Sequence, residues 1–534
     1  MERVATYIIL LLIFSINCVS ACPELCRCSG HTVSCPDSSV IPDGIPQDTA
    51  SLSFVGHLFT NLPSYTFVLH KLHNLELLQI EYGNLEVIRP YAFHGLPRLN
   101  LLHLRANNIN LIDPKAFDGL SRVTILYLTE NKLQQLAPRQ FDGLSSLTWL
   151  SLSNNELQGI APNAFSGLGS LKSLYLRNNH ITELTTYQSF SGLRKLSLLT
   201  LNSNEVLQHI GNGVFSQLGN LEKLELGDNQ ISAETLNEST FVGLQNLRLL
   251  NLNENPLSTV PEVAFKAIPQ LHVLYMSKTE LKFIHPGAFQ YLPNLMELTL
   301  DKNYDLYGIP QDSFHTMPAL QVMKLSETNI KVLQADIFAN ASNLYHLSIS
   351  KARLSKINPG VFLNLTNIHS LDLSNNKLTS LPSDIFASIP YSRSLKIDLR
   401  NNPWVCDCHL PEFIRSTNKL YTTTQLQKIF TISKNPPKCM NPPNLASTPI
   451  FTVPLSNLTC TPLSSSNKTD KKVIYITIGC LGSVVAIATI FAVIVFWKKC
   501  KQNKLSESVR FGSQQNIIPI DDDVSVHELN VSNI

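Results

Sequence analysis

One pattern, LxxLxLxxNxL followed by an apolar residue and then a phenylalanine, recurs along most of this 534-residue chain and limits what the chain can fold into. One copy runs Leu147, Leu150, Leu152, Asn155, Leu157, Ile160 and Phe165, and the next runs Leu171, Leu174, Leu176, Asn179, Ile181, Leu184 and Phe190. First positions fall at Leu75, Leu99, Val123, Leu147, Leu171, Leu196, Leu221, Leu247, Leu271, Leu295, Leu320, Leu344 and Ile368, in steps of 24 to 26 residues. A degenerate copy around Leu52, Phe54 and Phe67 brings the total to about fourteen. Such a period marks a stacked solenoid. The LxL pair alternates as a short strand does, with its leucines inward. One copy cannot bury its leucines by itself, whereas a stack can. Each buried Leu contributes roughly 1.5–3 kcal/mol. The Phe packs from the convex side. The Asn turns inward to satisfy loop backbone groups, each of which would cost about 1–3 kcal/mol if left unpaired.

The asparagine slot is taken by His57, Gly83, Thr279, Thr328 and Ala352 in five copies. Ala and Gly have no side-chain hydrogen bond to offer, so looser packing is expected from Thr279 to Ala352. In "DKNYDLYGIP" Asp305 stands in the usual apolar slot, and Leu306 is expected to replace it through a bulge.

Two apolar runs flank the repeats. The run Tyr7 to Ile16 follows Arg3, and Val19 and Ala21 stand at −3 and −1 of a cut before Cys22. This reads as a secretory signal peptide. The run Val473 to Trp497 contains no charged residue. At about 1.5 Å per residue it exceeds a hydrocarbon core of roughly 30 Å, so one transmembrane helix is expected. Export of the N-terminus makes the expected topology single-pass type I at the plasma membrane, integral to it, with Lys498, Lys499, Lys501 and Lys504 on the cytosolic side. Setting aside Cys18, Cys480 and Cys500 leaves eight of eleven cysteines, in groups of four at residues 22–35 and 406–460. Even groups in an exported chain form disulfides, with three pairings open per group of four. They sit where lids must cover the ends of a stack. Asn402 and Trp404 continue the repeat phase, which places Trp404 as a plug for the last layer. An oxidising compartment argues against zinc at "CDCH".

With "CPELCRCSGHTVSC" before the repeats and "NNPWVCDCHL" after them, residues 22–460 resemble the extracellular leucine-rich-repeat receptors and adhesion proteins that cross the membrane once. The resemblance implies a leucine-rich-repeat solenoid, an α/β horseshoe with short parallel strands on its concave face and a disulfide cap at each end. It implies the pairs Cys22–Cys28, Cys26–Cys35, Cys406–Cys439 and Cys408–Cys460. The expected organisation is signal peptide 1–21, N-terminal cap 22–48, repeats 49–393, C-terminal cap 394–460, stalk 461–472, transmembrane helix 473–497 and cytoplasmic tail 498–534. The gap between Cys408 and Cys439 is longer than such caps usually have, so an extra loop is expected within residues 411–438.

Residues between the paired leucines point out of the concave sheet. They read Gln79, His103, Tyr127, Ser151, Tyr175, Thr200, Glu225, Asn251 and Tyr275 along the first nine regular copies. Trp149 and Arg177 flank the tyrosines on adjacent strands. Aromatic residues and Arg are enriched at interface hot spots. Tyr127, Trp149, Tyr175, Arg177 and Tyr275 are therefore ligand-binding candidates, although Trp149 equally fits plain packing beside Leu101 and Ile125. Glycosylation motifs stand at Asn237, Asn340, Asn364, Asn457 and Asn467.

A formal charge of +2 leaves no field to recruit nucleic acid. No nucleophile–base or metal-ligand spacing is seen, so neither an enzyme, a cofactor nor a metal is expected. The expected function is a cell-surface receptor or adhesion molecule that takes a protein or matrix ligand on the concave face. The resemblance adds collagen, laminin, fibronectin or another membrane glycoprotein as partner classes. The alternative is a co-receptor that signals through a membrane partner chain or a PDZ scaffold. The tail has no Tyr, and its end, Ser532-Asn533-Ile534, fits the S/T-x-Φ pattern of a PDZ ligand, with Ser532 and Ile534 as the contact residues. Deleting Ile534 is expected to abolish capture of the full chain by PDZ domains, and capture that survives the deletion would dismiss that contact.

Overall fold

The computed structural model describes residues 22–430, 436–454, 456 and 458. The expected signal peptide, Cys460, Asn457, Asn467, the stalk, the span 473–497 and the tail with Ser532 and Ile534 lie outside the described residues. Among the described residues no helix is long and apolar enough to cross a membrane.

Each LxL pair forms a strand, and each strand pairs in parallel with those of the coils before and after it. Leu126, Leu150, Leu174 and Leu199 stand directly opposite one another across four such strands. Among the described residues seventeen strands join in one sheet. Two of them are the antiparallel hairpin Arg27–Ser29 and Thr32–Ser34, whose second strand pairs with Ser51–Val55 and covers the first edge of the stack. The last, Lys396–Asp398, pairs with Ser370–Asp372 and carries the sheet one coil past residue 393.

The inward leucines are fully buried. Behind them the phenylalanines form a spine. Successive rings from Phe67 through Phe93, Phe117, Phe141, Phe165 and Phe190 to Phe215 stack with centroids 5.8 to 6.5 Å apart. These spacings suit offset aromatic contacts. Asparagine holds the turn after each strand. Asn155 Nδ2 donates to the carbonyls of Leu128 and Leu152, at 2.9 and 3.0 Å, and its Oδ1 accepts the Leu133 amide at 3.1 Å. Asn131, Asn179 and Asn255 repeat this arrangement.

The exceptional slots are filled by neighbours. His57 is fully buried, and its ring occupies the space where a Cβ on Gly83 would come within 2.4 Å. It thus spans the gap left by Gly83 and reaches Asn107 Oδ1 at 2.9 Å. Asn107 Nδ2 already donates to Ile80 and Leu104, so the His57 Nε2–H is assigned as the donor of that bond. The stretch from Thr279 to Ala352, where looser packing is expected, keeps its strands paired, while Ser313 Oγ and Asn329 Oδ1 within it are buried without a hydrogen-bond partner among the described residues. Strand register is continuous from Val273 to Asp372. The following asparagine takes one further amide at two of these slots: Asn303 Oδ1 accepts the amide of Thr279 besides that of Leu281, and Asn376 Oδ1 accepts that of Ala352 besides that of Leu354. Thr279 and Thr328 also donate to Met276 and Leu325 of their own coils. In the irregular copy Leu306 is fully buried while Asp305 is exposed, so Leu306 takes the apolar slot.

The caps carry the bridges Cys22–Cys28, Cys26–Cys35 and Cys406–Cys439. Cys408 is also disulfide-bonded. Trp404 is buried at the end of the stack, and its Nε1–H donates to the Leu399 carbonyl at 3.0 Å. The extra loop expected within residues 411–438 is instead mostly two helices, Leu410–Leu420 and Thr423–Phe430. Leu410, Phe413, Ile414 and Thr417 fall at i, i+3, i+4 and i+7 and form one buried face. Phe386 packs against Phe413 and Phe430, and Phe451 packs against the same two rings, with centroids 4.5 to 6.0 Å apart. Deep in this cap the Tyr421 hydroxyl donates to the Ile389 carbonyl, and burial pushes its pKa up to about 12.

Replacing Asn155 by Ala is expected to destabilise the solenoid by about 1–3 kcal/mol, since the Leu133 amide and two carbonyls lose their partner. Denaturant melts followed by circular dichroism measure this, and an unmoved midpoint would refute it. His57 gives a pH dependence. Burial lowers its pKa, against the raising effect of Asn107 and of Phe59 backbone. The unfolded chain takes up this proton near pH 6.5, whereas the folded chain resists it. Stability is therefore lost as pH falls below about 6.5 and stops falling once the lowered pKa is passed. The thermal midpoint of the wild type should fall more steeply below about pH 6.5 than that of His57→Gln, and equal slopes would refute the assignment.

Candidate protein-binding face

In-register parallel pairing turns sequence positions into rows on the concave face. Tyr127, Ser151 and Tyr175 lie in one row on three adjacent strands, and Ile125, Trp149 and Ser173 lie in the row beside it. Neighbouring strands are about 4.8 Å apart, so the two tyrosines stand roughly 10 Å apart across the small Ser151. The Trp149 ring leans over Tyr175, with centroids 4.5 Å apart and a 37° tilt. Tyr127 meets the His103 ring edge to face at 4.8 Å. Ser151 is held by Thr129 at 2.7 Å between their hydroxyls. The structure thus brings Tyr127, Trp149 and Tyr175 together as one half-buried aromatic patch. Trp149 packs against a neighbour and still shows part of its surface. Its Nε1–H is buried without a hydrogen-bond partner among the described residues. Arg177, two residues beyond Tyr175, is exposed and forms no ion pair among the described residues.

Tyr275 does not join this patch, because the strands at Leu198, Lys223 and Leu249 intervene. It is half-buried in a charged neighbourhood. Lys324 pairs with Glu297 at 3.0 Å, and Asn251 Nδ2 donates to Glu225 at 2.7 Å. Burial raises the Tyr275 pKa, and Glu297 adds to the rise. Burial also raises that of Tyr175, with Tyr127 adding to it and a bond to Ser173 opposing it.

Sequence reasoning missed the N-terminal margin of the patch. His103 lies 3.7 Å from Glu81, and the Arg105 guanidinium sits 4.9 Å over the Tyr82 ring. Burial lowers the His103 pKa and raises that of Glu81, the latter against Arg105. His103 occupies the same slot as Tyr127 one coil earlier, so the slot was the available signal. Exposed Asn340 and Asn364 follow Phe338 and Phe362 by two residues on successive return segments, and Asn237 is exposed as well. The ligating atoms of Asp407, Cys408 and His409 lie within 4.8 Å of one another, but the Cys408 sulfur is committed to a disulfide.

The family described as Leucine rich repeat matches residues 73–133, 121–181, 184–231, 194–257, 232–281 and 247–304. The family described as BspA type Leucine rich repeat region matches residues 282–402. Among solved structures, the Toll–Spatzle complex of Drosophila is similar at 18% identity over 80% of this chain and 71% of that one, with a TM-score of 0.51. Its glycosylated form is similar at 19% identity over 80% and 67%, with a TM-score of 0.55. A leucine-rich-repeat protein of Leptospira interrogans is 24% identical over 72% of this chain and 91% of that one, with a TM-score of 0.49. At these identities the likeness speaks to fold. Taken with the stacked parallel strands and the inward asparagines, the matches identify the coils of residues 73–402 as leucine-rich repeats.

Proposed function

We propose that the chain is a cell-surface receptor or adhesion molecule that takes a protein ligand on the concave face of its early repeats. One observation carries the reading: Tyr127, Trp149 and Tyr175 converge on a half-exposed patch beside an exposed Arg177 that forms no ion pair among the described residues. A solvated sheet face gains nothing from three large rings, whereas interfaces concentrate their energy on Tyr, Trp and Arg. The Toll–Spatzle structure is an instance of this fold in a complex. The apolar run 473–497 supports display on a membrane, and the short polar stretch 461–472 would keep the repeats close to it. In layout the chain resembles leucine-rich repeat-containing protein 15 and platelet glycoprotein V, which directs the search toward matrix proteins and membrane glycoproteins.

Cells displaying the full chain and plated on collagen, laminin and fibronectin test the proposal. Attachment above that of untransfected cells is expected. Tyr127→Ala combined with Tyr175→Ala should weaken it at least tenfold, as for hot spots worth about 2 kcal/mol or more. Surface display and thermal midpoint should stay the same, because both side chains are partly exposed. Full attachment by the double variant would move the site elsewhere.

A further inference from the structure

A second surface lies at the N-terminal end, away from the aromatic patch. The cap segment 39–41 and the segment 58–63 of the first coil diverge from one hydrogen bond, Leu58 N–H to the Ser38 carbonyl at 2.8 Å. Between them is a hollow of about 520 Å³, lined by Val40, Ile41, Leu58, Phe59 and Leu69 among others. A volume of this size suits one or a few inserted side chains. Val40, Leu58 and Leu69 remain 66%, 56% and 76% exposed. Isolated exposed aliphatic residues are ordinary, but three converging on one hollow mark a contact surface.

The same hollow borders an open strand edge. Asn61–Leu62 is the first strand of a small parallel sheet continued by Val87–Ile88 and Leu111–Ile112. The carbonyls of Thr60 and Leu62 accept the amides of Val87 and Arg89, each at 3.1 Å. Along a strand, alternate residues turn their backbone groups to opposite sides. Asn61, between these two, therefore points its N–H and C=O away from the sheet, on the side where Asn61 lines the hollow. Neither group has a hydrogen-bond partner among the described residues. The rim is acidic. Asp37 stands two residues before the lining residue Ser39, and the fully exposed carboxylate of Asp43 lies 3.4 Å from His70, which lines the hollow.

We infer that this slot receives an extended strand from a partner protein. The strand pairs its backbone with Asn61, as in recognition by strand addition. It seats an aliphatic or aromatic side chain among Val40, Leu58 and Leu69, and it sets a Lys or Arg against Asp43. An apolar hollow explains the side-chain pocket, an unpaired edge explains the extended form, and the rim charge explains the basic residue.

The test pans the full chain, in detergent micelles, against phage-displayed random linear peptides. Enriched peptides should share an apolar residue near a Lys or Arg. Their binding should fall at least tenfold for Leu69→Asp and for Asn61→Pro, and should be unchanged for Tyr127→Ala with Tyr175→Ala. Proline is tolerated on an edge strand while removing its free N–H. Leu69 is exposed, so its variant keeps the test valid if Asn61→Pro melts early. Asp43→Lys should reverse the preference from basic to acidic peptides. Enrichment of no such motif, or of peptides that bind Leu69→Asp equally well, overturns the inference. So does a wild-type dimer that Leu69→Asp converts to monomer in light scattering, because the slot would then hold a second copy of this chain.

Discussion

Every coil of this solenoid must turn sharply beneath its strand, and the turn buries backbone groups that no strand can pair. The inward asparagine resolves this. Its amide donates to the carbonyl of its own coil and of the coil before, and its carbonyl takes an amide from the coil before. Stacking and turning are thereby one interaction, and a coil without its neighbours would leave both unsatisfied. At Thr279 and Ala352 part of the slot's bonding comes from the next coil, through Asn303 and Asn376, whereas Thr328 bonds to Leu325 of its own coil.

His57 and Gly83 show how far the arrangement bends. An imidazole is too large for the usual slot, and the missing side chain at Gly83 gives it room to lie across two coils and reach Asn107. The two departures from the repeat, taken singly, look like defects. Together they are one buried contact, at the cost of placing a titratable ring where charge is disfavoured.

A parallel stack has two ends and one continuous inner face. The C-terminal end is closed by Trp404 and the aromatic cluster of the helical cap. The N-terminal end is closed on its main sheet by the cap hairpin but not on the small sheet that begins at Asn61. The inner face is regular in backbone, so differences along it come from side chains, and Tyr127, Trp149 and Tyr175 gather on its early coils.

The repeat, the inward leucines, the phenylalanine spine and the outward slots of Tyr127 and Tyr175 were all legible in the amino-acid order, because a fixed period assigns each position the same environment in every coil. The replacement of Asp305 by Leu306 was legible for the same reason. What only the tertiary structure decided lies between coils or outside the period. The meeting of Trp149 with Tyr175, the pairing of His57 with Gly83 and Asn107, and the separation of Tyr275 from the patch depend on which side chains face each other across strands 24 to 50 residues apart. The helices at Leu410–Leu420 and Thr423–Phe430 lie beyond the last repeat, where periodicity gives no environment and the buried face is set by the apolar end it covers.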